Sequence, residues 1–139
     1  MAEIKPLEHE DSALVRDGRK TVMIIDDSSI MTKQLTQILN GANYKVVGIS
    51  SDGEEGMRLY RKISKIVDVV LLDINMPKMH GMKVLQHIMA FNKDARVVIV
   101  STEGTGENVK KAITLGARGF VVKPPARAKV LEQIEAALK

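Results

Sequence analysis

Two adjacent aspartates, Asp26 and Asp27, follow the apolar run TVMII (21–25), and single polar residues close three further runs. They are Asp73 after VDVVLL (67–72), Ser101 at the end of ARVVIVS (95–101) and Lys123 at the end of GFVVK (119–123). Each has an ordinary structural use taken singly, because serine and aspartate cap helices and lysines are commonly solvated. Taken together they carry chemistry. Carboxylates that share a site raise one another's pKa unless a cation compensates. A hard divalent ion meets that need: Mg2+ prefers octahedral oxygen ligands and is held by a few carboxylates, waters and a phosphate oxygen. Softer metals are disfavoured, since the chain has no cysteine and His9, His80 and His87 fall away from the run ends. Asp26, Asp27 and Asp73 would set three negative charges against two positive on Mg2+ and one on Lys123, a balanced resting site. Converting Asp73 to an acyl phosphate adds about one negative charge, which calls for donors such as the Ser101 hydroxyl and nearby backbone N–H groups.

For these run ends to meet, the runs must lie side by side in one sheet. The runs above and YKVVGI (44–49) are nearly continuous in apolar, mostly β-branched residues, the pattern of strands buried on both faces of a parallel sheet. Between and after them come stripes at helical spacing: Ile30, Met31, Leu35, Ile38 and Leu39; Met57, Leu59, Tyr60 and Ile63; Val84, Leu85, Ile88 and Met89. Val109, Ala112, Ile113 and Leu115 make a fourth stripe, and Val130, Leu131, Ile134, Ala137 and Leu138 a fifth. The alternation is α/β, (βα)5, and right-handed crossovers give a flavodoxin-like doubly wound parallel sheet of strand order 2-1-3-4-5. In such a sheet ligands bind at the carboxyl ends of the strands, where the polar residues fall.

The 139 residues are expected to form one domain over 21–139, preceded by a flexible extension over 1–20 that mixes charge signs and ends in the turn-like DGRK. No run reaches the length of a membrane span and no secretory signal is visible, so a cytoplasmic protein without membrane partners is expected. A net charge of +4 invites a nucleic-acid reading, but the basic residues are dispersed and only two tyrosines and two phenylalanines are available for stacking. No nucleic-acid partner is therefore expected.

The segments IIDDSS, LLDINMPKMHG, VVIVSTEG and GFVVKPP, in this order, resemble the blocks of the response-regulator receiver domain, the CheY-like family, over Thr21 to Lys139. The resemblance implies that Asp26, Asp27, Asp73 and the backbone carbonyl of Asn75 hold Mg2+, and that Asp73 accepts a phosphoryl group from a histidine kinase or small donor. It also implies that Ser101 moves toward that group, that Lys123 pairs with it before a cis bond to Pro124, and that Phe120 reports activation through its rotamer. Asn75, Thr102 and Glu103 would modulate hydrolysis. Thr102 stands where relatives often carry a smaller residue and is expected to crowd the mouth; His80 and Pro125 also depart from the pattern and are expected to alter loop packing.

Remaining features take plainer readings: Met76, Met79 and Met82 as core filler, and Gly104 and Gly106 as hinges. Lys110 and Lys111, with Arg127 and Lys129 nearby, suit an acidic docking partner. The implied function is a chemotaxis-type phosphorylation switch that binds a target through its fourth helix, fifth strand and fifth helix. A phosphorelay intermediate is the alternative. An aspartyl-phosphate phosphatase fits less well, because the chain has no insertion long enough for a substrate cap.

Overall fold

The computed structural model describes residues 18–139, so the expected extension lies almost wholly outside the described residues. The elements run β1 (Lys20–Ile25), α1 (Ser29–Gly41), β2 (Tyr44–Ser50), α2 (Gly53–Ile63), a 3-10 turn (Ser64–Ile66), β3 (Val69–Leu72), α3 (Gly81–Phe91), β4 (Val97–Ser101), α4 (Gly106–Thr114), β5 (Gly119–Val122) and α5 (Arg127–Leu138). The five strands form one parallel sheet in the order β2-β1-β3-β4-β5, as the alternation of runs and stripes predicts.

Alternation along β1 builds two cores. Met23 and Ile25 point into a layer with Met57 and Tyr60 of α2, Leu85 and Ile88 of α3 and Ala112 of α4. Val22 and Ile24 point the other way, against Leu35 and Leu39 of α1 and Val130 and Ile134 of α5. All four β1 residues are completely buried, so truncating Met23, Ile24 or Ile25 to alanine would cost about 2–5 kcal/mol.

Side-chain caps set where the helices begin. Ser28 Oγ accepts from Met31 N at 3.2 Å, Asp52 Oδ1 from Glu55 N at 2.8 Å and Thr105 Oγ1 from Asn108 N at 3.1 Å. His80 does the same for α3, its Nδ1 accepting from Met82 N at 3.2 Å. The residue expected only to alter loop packing thus anchors a helix start.

Some boundaries differ from the sequence reading. β3 begins at Val69 rather than Val67, because Asp68 is engaged with the start of β1: its Oδ2 accepts from Thr21 N at 2.8 Å and its own N donates to Thr21 Oγ1 at 2.9 Å. β1 starts one residue early, at Lys20. Ile30 and Ile113, counted in the apolar stripes, are 69% and 49% exposed. Ile30 lies in the first turn of α1, ahead of the buried Leu35 and Leu39.

Candidate metal centre at the strand ends

β1 ends at Ile25, and the chain turns at once through Asp26, whose N donates to the Ser50 carbonyl of β2 at 3.0 Å. Asp73 follows β3 in the same way, its N donating to the Ile25 carbonyl at 2.9 Å. The two carboxylates are thereby fixed by backbone bonds to neighbouring strand ends. Asp26, Asp27 and Asp73 each offer an oxygen within 4.8 Å of the other two; Asp26 and Asp73 are buried and Asp27 is exposed. Lys123, directly after β5, reaches back over the cluster, its Nζ 3.0 Å from Asp26 Oδ2 and 3.5 Å from Asp73 Oδ2.

The close approach of α3 tightens the site from below. Gly81 N donates to the Ile74 carbonyl at 2.6 Å, and a Cβ at Gly81 would run into the Asp73 carbonyl oxygen. Only glycine lets the start of α3 pack on the Asp73 backbone.

Burial, then the neighbouring Asp26 charge, pushes the Asp73 carboxyl up from 3.8 to about 6, against the opposing pull of Lys123 and of the Asn75 N–H that donates to it. Asp26 Oδ1 accepts from Ser28 N at 2.9 Å, whereas Oδ2 is buried and has no hydrogen bond of good geometry despite Lys123 alongside. A cluster of oxygen donors with surplus negative charge and an unsatisfied carboxylate oxygen fits a hard divalent cation such as Mg2+.

The other predicted residues fall at the ends of β3, β4 and β5 and in the loops beyond them, with Phe120 within β5 itself. Ser101 is fully buried and its Oγ accepts from Glu103 N at 3.0 Å. Lys123 N donates to the Ser101 carbonyl at 2.8 Å, tying the ends of β4 and β5. The Lys123–Pro124 bond is cis. Phe120 is half-buried against the core layer of α2, α3 and α4. Thr102 is exposed. Asn75 Nδ2 donates to Glu103 Oε2 at 2.7 Å, a direct bridge between the β3–α3 and β4–α4 loops. Sequence reasoning places both residues at the mouth but not their bond. It also misses Asn108, whose Nδ2 donates to the Glu103 carbonyl at 3.1 Å.

An acidic cluster at the carboxyl ends of a doubly wound sheet, beside the switch point between β1 and β3, is the ligand crevice of the flavodoxin-like class. Residues 22–135 match the family described as response regulator receiver domain. The chain belongs to that family. It is 47% identical over 118 residues to the chemotaxis protein CheY of Treponema pallidum, spanning 85% of this chain and 82% of that protein. It is 38% identical over 113 residues to the protein CcdB of Bacillus subtilis, spanning 81% and 92%. In the crystal structure of the CheX–CheY–BeF3–Mg2+ complex from Borrelia burgdorferi, one chain superposes with a TM-score of 0.84 at 41% identity, over 86% of this chain and 90% of that one. The protein is a receiver domain of the CheY type, a signalling module of two-component systems.

Proposed function

We propose that this receiver is a chemotaxis-type switch in which Asp73 accepts a phosphoryl group from a histidine kinase, Asp26, Asp27, Asp73 and the Asn75 carbonyl hold Mg2+, and the phosphorylated state binds a target protein. The observation that carries the reading is the cluster of three carboxylates with oxygens within 4.8 Å of one another, two of them bridged by the lysine that follows β5. With a pKa of about 6 the Asp73 carboxyl is chiefly ionised at neutral pH, ready to attack phosphorus. A carboxylate oxygen of Asp73 forms the new bond to phosphorus while the donor's P–N bond breaks, and the imidazole leaves with its electron pair and takes a proton from solvent. Bound Mg2+ supplies charge neutralisation to the carboxylates and the incoming phosphoryl oxygens. Lys123 holds the leading edge of that charge, and the Ser101 O–H is the donor that turns to it. Catalysis is confined to the protein's own phosphorylation and dephosphorylation, in the cytoplasm where its kinase would act.

The output surface is the face of α4, β5 and α5. Ile113 on α4 and Val122 on β5 are 49% and 51% exposed there, with the exposed Lys110 and Lys111 at their rim, which suits an acidic partner with an apolar centre. The CheY relatives favour chemotaxis over a phosphorelay.

Intact-mass spectrometry after treatment with acetyl phosphate and Mg2+ tests the reading. Wild type should gain one phosphoryl adduct, and Asp73→Ala should gain none. An undiminished adduct on the variant removes Asp73 from the role.

A further inference from the structure

The β4–α4 loop, which flanks the mouth of the acidic site, is staked at three points. Glu103 N donates to Ser101 Oγ at 3.0 Å at its start. At its middle, Gly104 lies so close over Val122 that a Cβ there would collide with the valine side chain. Beyond it, Asn108 makes a double tie: its backbone N–H goes to Thr105 Oγ1 at 3.1 Å, as an ordinary helix cap, while its side-chain Nδ2 donates back to the Glu103 carbonyl at 3.1 Å. The cap accounts for the backbone group alone. The side chain is spent on holding the residue whose carboxylate reaches across the mouth to Asn75 at 2.7 Å.

We propose that Asn108 is a positioning residue that acts through Glu103 to set how readily water and phosphodonors reach Asp73. The inference rests on the receiver reading above. Asn108 touches neither the carboxylates nor any reacting atom; it fixes the Glu103 backbone so that the Glu103 side chain stays on Asn75 and closes the approach between the two loops. Removing the Nδ2 donor frees that backbone, lowers the occupancy of the bridge and opens the mouth. A single net hydrogen bond of this kind changes such an occupancy by about 2- to 10-fold.

Asn108→Asp tests the effect. It keeps the backbone bond to Thr105, replaces the donor to Glu103 by a carboxylate oxygen that cannot donate to the Glu103 carbonyl, and adds a negative charge in the first turn of α4, where the helix favours one. Its phosphoryl lifetime, read as phosphate release after acetyl phosphate loading, should shorten about 2- to 10-fold with an unaltered melting temperature. In a Glu103→Ala background, Asn108→Asp should change the lifetime no further. An equal effect in both backgrounds, or none in either, overturns the proposal. A second measurement needs no phosphoryl group: the Asn75 side-chain amide resonance of the unphosphorylated protein should move in Glu103→Ala and move part of the same way in Asn108→Asp. An Asn75 resonance unmoved by Asn108→Asp refutes the inference even if wild type phosphorylates normally. Absence of any phosphoryl adduct on wild type refutes instead the receiver reading on which it rests.

Discussion

Replacing Asp73, the proposed phosphoacceptor, should make the metal-free protein more stable. Asp73 is 5% exposed and its carboxyl is pushed up from 3.8 to about 6, by burial first and Asp26 second, with Lys123 only partly offsetting them. A folded-state pKa above the unfolded value means that the folded chain holds the proton more tightly between those two values. Ionisation therefore costs nothing below about pH 4 and its full amount above about pH 6. A shift of about two units corresponds to roughly 3 kcal/mol. Asp73→Asn removes the charge at nearly constant volume and leaves Lys123 paired with Asp26 at 3.0 Å. In EDTA at pH 8 the variant should gain about 2–3 kcal/mol in urea melts, with a melting point higher by roughly 10 °C. The gain should vanish by about pH 4, and saturating Mg2+ should narrow it by stabilising wild type more than the variant. A variant no more stable than wild type at pH 8, or a gain independent of pH, would refute the argument that Asp73 is a strained charge.

Asp27→Ala should weaken Mg2+ binding, read by calorimetry, with little loss of metal-free stability because Asp27 is exposed; unaltered affinity would remove it from the ligand set. Ser101→Ala should still take up phosphoryl from acetyl phosphate yet bind its target several-fold more weakly once phosphorylated, since one charge-assisted donor to the phosphoryl group is lost. Thr102→Ala should speed both loading and phosphate release without altering Mg2+ affinity, because an exposed β-branched side chain at the mouth is removed; equal lifetimes would leave Thr102 without a kinetic role. Gly81→Ala should destabilise the fold by about 1–3 kcal/mol in urea melts, since its methyl has to displace the Asp73 backbone.

The strand ends were legible because a parallel sheet buried on both faces writes itself as apolar runs, and whatever polar residue closes a run must emerge at the crevice. Asp26, Asp73, Ser101 and Lys123 follow from that rule alone. The start of β3 did not, since Asp68 sits in an apolar run yet spends its side chain on Thr21, 47 residues away. Ile30 shows the limit of periodicity: a stripe reports which side of a helix faces inward, but not how far toward the helix end burial extends. The Asn75–Glu103 bridge joins residues 28 positions apart in two loops, where no period operates. His80 as a cap escaped notice because histidine is outside the usual capping set, although its Nδ1 can accept as a hydroxyl does.

Lys123 is delivered by the last strand of the sheet, whereas the carboxylates it reaches come from the first and third in chain order. The site is thus a keystone joint. In a molecule whose β5 and α5 had peeled away, Asp26 and Asp73 would lose the counter-charge of Lys123. If Asp73 is phosphorylated as proposed, that chemistry would be restricted to chains that have finished folding.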